Sequence, residues 1–474
     1  MQKQVEVLII GAGTAGLAAV KEVKLTTQNY LLVDHGPLGT TCARVGCMPS
    51  KALIQIAQAC HRTRRLQEAG ILAGDSTIQL SAIFTRVRKL RDDFVSGLVD
   101  EIRSMGEHFV QGHARFTGPN SMVIDDKLQV QAKRIIIATG TKPLIPKEWP
   151  KHPGILTSDS FFELEQIPQR WAIAGLGPIG LEIGQALAFL GLDVSGFDLI
   201  PNIGGLKDPH LNQLACEAVR THMPLNFGTE IQVKEDKGQL KISFGDSFQS
   251  VDAILASIGR QADLKSLELD KTDCTFDPDG FPVIDRKTQF LQGTSILFAG
   301  DVDRTQPILH EAVDDGRIAG FNATHEKPQE FIRRTPLAII FTSPGIAAVG
   351  IPRDQIEDVL VGITSYENQG RAKIMGENKG ALQLYMDRST TRLLGAEIVA
   401  PEAEHLAHLL AWSIQSELTL HDMLRLPFYH PTIEEGLRTA LQDAAKKLPQ
   451  PTPELTSIKD QHYSASGSLQ KSHR

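Results

Sequence analysis

Two cysteines five positions apart, in the segment Cys42-Ala43-Arg44-Val45-Gly46-Cys47, are the residues of this chain best suited to chemistry. They follow a strand, a Gly-rich turn and a helix of the kind that cradles a dinucleotide. Beside a redox cofactor, two thiols point to a disulfide that is made and broken rather than a structural staple. The spacing supports a labile bridge. Five residues of helix rise about 7.5 Å, whereas bridged Cα atoms lie about 4.4–6.8 Å apart. A bridge on a helix therefore deforms the turn, and a deformed bridge is easier to reduce. Pro49 is expected to help, because its ring clashes with the carbonyl of Val45 and opens that turn.

The elements that position this pair start at the N-terminus. Residues 5–34 read as strand, turn, helix and strand, with Gly11, Gly13 and Gly16 in the turn and Asp34 closing the second strand. Residues 50–105 read as mostly helical, with a break near Gly70 to Asp75. Short strands follow from Phe109, the last running into Ala138-Thr139-Gly140, and a Pro-rich linker (Pro143, Pro146, Pro150, Pro153) marks a domain boundary. A second strand–turn–helix–strand unit spans Trp171 to Asp198, with Gly175, Gly177 and Gly180 at its turn. In each unit the glycines let backbone N–H groups approach a pyrophosphate at a helix N-terminus, and the acid receives a ribose hydroxyl. The offset from first glycine to acid, 34 − 11 and 198 − 175, is 23 in both, near the ~20 expected. Two such copies predict two dinucleotide sites. Asp198 would repel a 2′-phosphate and Leu199-Ile200-Pro201-Asn202 supplies no cation, so NAD is favoured over NADP at the second. Pro178 is harmless in the first helical turn.

With 474 residues, the chain has room for roughly three domains. A formal net charge of −7 without a Lys/Arg block gives no electrostatic reason to expect nucleic acid or an anionic membrane as partner. Five cysteines are too few for a secreted disulfide scaffold, and without a CxxC pair no metal is expected. Cys60, Cys216 and Cys274 read as structural thiols. The chain enters a strand almost at once, leaving no room for a targeting peptide. No apolar run reaches the ~18 residues of a membrane span. A cytoplasmic enzyme is the expectation.

Taken together and in order, these motifs resemble the flavin-dependent pyridine nucleotide–disulfide oxidoreductases, and within them most closely the dihydrolipoyl dehydrogenase branch. The resemblance runs from about Val5 to Leu448. It rests on Gly11 to Gly16, on the cysteine segment continuing Met48-Pro49-Ser50-Lys51, and on Ala138-Thr139-Gly140. It continues through Gly175 to Gly180, Gly259-Arg260, Ala299-Gly300-Asp301 and His430-Pro431-Thr432-Ile433-Glu434-Glu435. It implies FAD at the first site and NAD at the second, with Thr139, Gly140 and Gly259 among the cofactor-binding positions. Cys42 would exchange with substrate and Cys47 would lie against the flavin. Lys51 and Glu182 would form an ion pair near the flavin, and Asp301 would bind its ribityl chain. His430 and Glu435 would be the base and its orienting carboxylate, reaching the disulfide from the other subunit of a homodimer. A dithiol attacks only as thiolate, so a histidine, with an unperturbed pKa of about 6.5, suits that base.

The implied architecture is α/β: two Rossmann-like FAD/NAD(P)-binding domains plus a C-terminal α+β dimerisation domain. Residues 1–145 and 266–335 would form the FAD domain, 146–265 the NAD domain, 336–448 the interface domain and 449–474 a disordered tail. The implied reaction passes electrons from dihydrolipoamide, free or protein-bound, through the disulfide and FAD to NAD⁺. Reduction of another disulfide by NAD(P)H, or a flavoprotein redox sensor, are the alternatives.

Several residues have plainer readings. Thr432-Ile433-Glu434-Glu435 is also a Thr-x-x-Glu capping box opening the last helix, and Glu435 is not expected to serve that box and His430 at once. Lys51 and Glu182 would ordinarily be solvated. The chain departs from the family pattern at Thr40, a usual glycine, at Ala43-Arg44, and at Gly345, a usual glutamate. Arg44 would place a cation near the thiols, where it lowers thiolate pKa.

Overall fold

The computed structural model describes residues 1–74, 77–228, 230–449, 461–463 and 469–471. They fall into two compact units, one of Met1–Gly175, Phe189–Asp193 and Ile231–Arg333, the other of Leu176–Ala188, Val194–Glu230 and Arg334–Arg474.

The first unit is built on a seven-stranded sheet whose central strand, Gln2–Ile10, pairs in parallel with Tyr30–Asp34 on one side and Leu128–Ile137 on the other. From Val7 to Ile10 this strand is buried on both faces and reads as an apolar run, as central parallel strands do. Leu8 and Ile10 enter one core with Leu31 and Ile135, while Val7 and Ile9 enter another with Ala15 and Ala19 of helix Thr14–Val23. Strand Ile296–Phe298 also runs parallel to Leu128–Ile137. The registers pair Ile10 with Val33 and Ile137, and Ile137 with Phe298, so four carboxyl ends lie level. Gly11, Asp34, Ala138 and Ala299 follow at that shared edge, the place where open α/β sheets take ligands. The same unit holds the parallel strands Ile155–Leu156, Ala253–Ala256 and Arg170–Ala174, a three-stranded antiparallel sheet over 232–251, and the paired helices Cys47–Glu68 and Leu80–Ser104.

A buried ionic network fixes the turn after Ile296–Phe298. Asp315, on helix Leu309–Thr324, accepts the N–H of Gly300 at 3.1 Å and the side-chain amide of Gln289 at 2.9 Å. Its other neighbour is Arg333, which pairs with it at 2.5 Å and with Glu311 at 2.8 Å.

The second unit carries a five-stranded antiparallel sheet in the order Leu337–Ile340, Gly345–Gly350, Leu393–Ala400, Ala381–Asp387, Val359–Ser365. Helices Ala403–Gln415 and Glu435–Lys446 contribute Leu406, Leu410, Leu437 and Leu441 to its core. Helix Glu435–Lys446 lies so close to strand Val359–Ser365 that a Cβ on Gly362 would stand 2.3 Å from the carbonyl oxygen of Ala440. Parallel strands Asp193–Asp198 and Leu225–Phe227 and the helix Pro209–Arg220, capped by Asp208, belong largely to this unit. Gly345, where a glutamate was the usual residue, pairs with Ala400 and sits against Ala403, leaving a Cβ only 3.0 Å from the Ala403 methyl.

The mixed α/β architecture is the one expected. Most of the expected tail lies outside the described residues; Gln461–Tyr463 and Leu469–Lys471 pair as short antiparallel strands. Among the described residues, no helix is long and apolar enough to cross a membrane.

Two outcomes follow from this packing. Burial pushes the Asp315 carboxyl up to about 6, against the pull of Arg333 and with Asp303 adding to the rise. The unfolded value is about 3.9, so between these two pH values the folded chain keeps a proton that the unfolded chain has released. That contribution is complete below the unfolded value and is lost as pH rises through about 6. Urea denaturation should therefore show wild type losing stability relative to Asp315→Asn across that window, by up to about 1.4 kcal/mol per pH unit. A difference independent of pH would refute this. Separately, the Tyr366 hydroxyl is fully buried without a hydrogen-bond partner among the described residues. Tyr366→Phe should leave the fold intact and raise unfolding free energy by about 1 kcal/mol, since no hydrogen bond is lost and an unpaired polar group is removed.

Candidate active site

The thiol segment is two helices meeting at a break. Thr41–Arg44 forms a single turn, Val45 and Gly46 leave helical geometry (φ −137°, ψ 3° and φ −118°, ψ −115°), and a new helix starts at Cys47. The expectation that Pro49 opens the turn is corrected: Pro49 lies in the first turn of the second helix, where an N–H has no intrahelical partner. The opening comes instead from Val45 and Gly46. Thr40 caps the first turn, its hydroxyl accepting the N–H of Ala43 at 3.1 Å, which gives the residue in place of glycine a local purpose.

Cys42 and Cys47 are half-buried thiols within hydrogen-bonding reach of each other. The hydrogen bond with Cys47 raises the Cys42 pKa well above its usual range, and burial adds to the effect; the nearby ammonium of Lys51 opposes it. Two thiols in this relation give up one proton far more readily than the second. Lys51 is one turn beyond Cys47 on the same helix.

At the first nucleotide turn, Gly11 holds φ +108°, and a Cβ there would stand 2.3 Å from the carbonyl oxygen of Ala138. A Cβ on Gly16 would stand 1.8 Å from the Gly11 carbonyl oxygen, so helix Thr14–Val23 can lie this close only with glycine. Gly13, the N-cap, faces open space where a Cβ would meet nothing within 4 Å. This is a cradle that a side chain would fill, and it suits a pyrophosphate. Asp34 accepts the N–H of Ala12 and that of Gly36, each at 2.6 Å. The carboxylate therefore ties the turn to the second strand, with lone pairs remaining for a ribose.

The second motif repeats these features. Gly175 has φ +94° and its Cβ position is 2.4 Å from the carbonyl oxygen of Ser257. Gly177 faces open space, and Gly180 lies in the first turn of helix Pro178–Phe189. Asp198 accepts the N–H groups of Leu176 at 2.6 Å and Ile200 at 3.0 Å, matching Asp34 donor for donor. The common offset of 23 residues thus reflects a tie between turn and strand.

The remaining positions divide between the units. In the first, Thr139 and Gly140 (φ +66°) follow strand Leu128–Ile137, and the carbonyl of Gly259 accepts the N–H of Leu144. Arg260 donates to the hydroxyl and carbonyl of Thr141 at 2.9 and 2.8 Å. Burial raises the Asp301 carboxyl above its usual range, with Arg260 opposing the shift and Asp303 reinforcing it. The Asp315–Arg333–Glu311 network behind Gly300 was not anticipated. Its sequence signal is three acids, Glu311, Asp314 and Asp315, on the helix after Ala299-Gly300-Asp301, and Arg333 lies too far along for local spacing to match it to any of them.

In the second unit, Glu182 is 5% exposed and accepts the N–H of Phe341 at 3.1 Å. His430 is exposed, and its Nδ1 lies 3.0 Å from both oxygens of Glu435. This contact, followed by the N–H of Thr432, holds the Glu435 carboxyl below its usual range. Here a second expectation is corrected. The last helix begins at Glu435 rather than at Ile433, and the Thr432 hydroxyl donates to the Tyr429 carbonyl instead of capping. Glu435 nonetheless accepts the N–H of Thr432 at 3.3 Å while contacting His430, because a carboxylate offers about four lone-pair sites.

Residues 5–316 match the family described as pyridine nucleotide-disulphide oxidoreductase, and residues 337–441 match its dimerisation domain. A dihydrolipoyl dehydrogenase of Chlamydia muridarum is 28% identical over 450 residues, covering 92% of this chain and 96% of its own. A mercuric reductase of Bacillus cereus is 27% identical over 456 residues, covering 92% of this chain and 70% of its own. Among solved structures, the HOCl-induced flavoprotein disulfide reductase RclA of Escherichia coli has a TM-score of 0.82 at 21% identity, covering 93% of this chain and 99% of that one. LpdA of Mycobacterium tuberculosis has a TM-score of 0.80 at 23% identity, covering 92% and 99%. At those identities the two structures establish the fold alone. The sequence match across both nucleotide motifs, the thiol pair and the interface domain places this chain in the pyridine nucleotide-disulphide oxidoreductase family, whose cofactors are FAD and NAD(P)H.

Proposed function

We propose that this flavoprotein oxidises dihydrolipoamide with NAD⁺. The observation that carries the reading is the pairing of a hydrogen-bonded dithiol, Cys42–Cys47, with a histidine whose Nδ1 is engaged by a carboxylate. The similarity to curated dihydrolipoyl dehydrogenases across 92% of the chain supports this substrate over others. The match to a dimerisation domain supports a homodimer in which His430 and Glu435 serve the partner's thiols.

In this reading His430 takes a proton from the dithiol substrate, and the resulting thiolate attacks the Cys42 sulfur of the oxidised pair. The Cys42–Cys47 bond breaks, and Cys47 leaves as thiolate. The substrate's second thiol then displaces Cys42 from the mixed disulfide, releasing lipoamide and two reduced cysteines. The raised Cys42 pKa favours its recovery of the proton, leaving the negative charge on Cys47. Glu435 fixes the tautomer of His430 and stabilises the imidazolium that forms. FAD would be held by Gly11, Gly13, Gly16, Asp34, Thr139, Gly140 and Asp301, with Lys51 and Glu182 as the ion pair that the family resemblance implies, and would supply the two-electron chemistry between thiols and nicotinamide. NAD would be held by Gly175, Gly177, Gly180, Asp198 and Gly259.

The mercuric reductase relative supports a second reading, NAD(P)H-dependent reduction of a different substrate at the same thiols. A substrate panel decides: lipoamide with NADH should turn over faster than other disulfides or mercuric ion, and faster than with NADPH. Cys42→Ser should retain FAD absorbance and lose dithiol turnover by several orders of magnitude; turnover near wild type would refute the interchange role. His430→Gln should slow dithiol oxidation at least about a hundredfold while sparing diaphorase activity with artificial acceptors. Equal loss in both assays would make His430 structural.

A further inference from the structure

The exposed His430 has little packing of its own, and the support for its carboxylate comes from another part of the interface domain. Gln369 is the N-cap of helix Gly370–Met375. Its Oε1 accepts the N–H of Ala372 at 2.7 Å, and its Nε2 donates to the carbonyl of Thr432 at 2.6 Å. Thr432 in turn donates its N–H to Glu435, and its hydroxyl donates to the Tyr429 carbonyl at 2.8 Å. Gln369 is itself anchored, since its N–H donates to the carbonyl of Tyr366, whose side chain is fully buried. The Tyr366 ring also lies beneath the first turn of the helix bearing Glu435, where a Cβ on Gly436 would stand 2.6 Å from the Tyr366 hydroxyl oxygen. A continuous set of contacts thus runs from a buried aromatic, through Gln369 and Thr432, to the Glu435 carboxylate and His430.

We propose that Gln369 is a positioning residue for the His430–Glu435 pair, acting through Thr432. The proposal rests on the reading of that pair as the proton-transfer machinery. The bland account is that Gln369 only caps a six-residue helix, for which its Oε1 suffices. The side-chain amide makes the two roles separable, because Oε1 serves the cap and Nε2 serves Thr432. A displacement of about 1 Å at a catalytic group is enough to cost a large factor in rate. Thr432 sits only two residues from His430 and three from Glu435, so releasing its carbonyl frees the segment that aims both.

Gln369→Glu keeps the acceptor for Ala372 and replaces the donor to Thr432 with an oxygen that repels its carbonyl. The holoenzyme variant should remain folded at the assay temperature, with FAD bound, and retain diaphorase activity. Its kcat for dihydrolipoamide should fall roughly tenfold, with KM little changed. Gln369→Met, uncharged and of similar length, should show the same split between the two activities. Wild-type dithiol turnover in both variants, or equal loss in both assays, overturns the proposal. His430→Gln measured alongside separates the two levels: a large, dithiol-specific loss there with none at Gln369 rejects only the positioning role. No dithiol-specific loss at His430 rejects the proton-transfer reading, and the positioning role with it.

Discussion

The level ending of four parallel strands is the constraint on which the first unit's chemistry depends. Because Ile10, Val33, Ile137 and Phe298 lie in matched register, the residues after them emerge at one edge. Those residues are Gly11, Asp34, Ala138-Thr139-Gly140 and Ala299-Gly300-Asp301, four motifs scattered over nearly 300 positions of sequence. A one-residue slip in any strand would reverse which side chains face each core and displace its motif along the edge. The apolar content of both faces, with Leu8 and Ile10 in one core and Val7 and Ile9 in the other, makes such a slip costly.

In both units the same physical device recurs: a carboxylate with spare lone pairs joins two donors. Asp34 joins Ala12 and Gly36, Asp198 joins Leu176 and Ile200, and Asp315 joins Gly300 and Gln289. In the second unit Glu435 joins His430 and Thr432, and Glu397 accepts the adjacent N–H groups of Lys207 and Asp208. Each acid orients backbone that would otherwise be loosely held, and each retains capacity for a further partner. The thiol pair is the complementary case. Cys42 and Cys47 are brought together by two backbone residues that leave the helix, and their mutual hydrogen bond divides the protons unequally between them.

Much of this was legible in the sequence because it is local. The two glycine turns, their equally spaced acids and the thiol segment each reside in a window of about thirty residues or fewer, where steric demands select residue type directly. Gly11 and Gly175 need positive φ against a neighbouring carbonyl, and nothing but glycine meets both demands. Local reasoning failed where two local preferences competed. The Thr-x-x-Glu pattern suggested a full capping box, yet the helix starts at Glu435 itself, and the carboxylate serves His430 while keeping one bond of the box. Pro49 suggested the break between the cysteines, yet Val45 and Gly46 make it, since a proline in a first helical turn disturbs nothing.

The sequence by itself determined the fold class, the order of the motifs and the chemical types at each, because turn sterics and strand burial act between near neighbours. Only the tertiary structure decided which distant groups support them. Arg333 beneath Asp315, Gln369 beneath Thr432 and the close seat of helix Glu435–Lys446 on Gly362 carry no local signature. Their partners lie 18, 63 and 78 positions away. Hydrogen bonds and ion pairs of this kind depend on positions in space that the register of whole sheets establishes, and no short window of sequence contains that information.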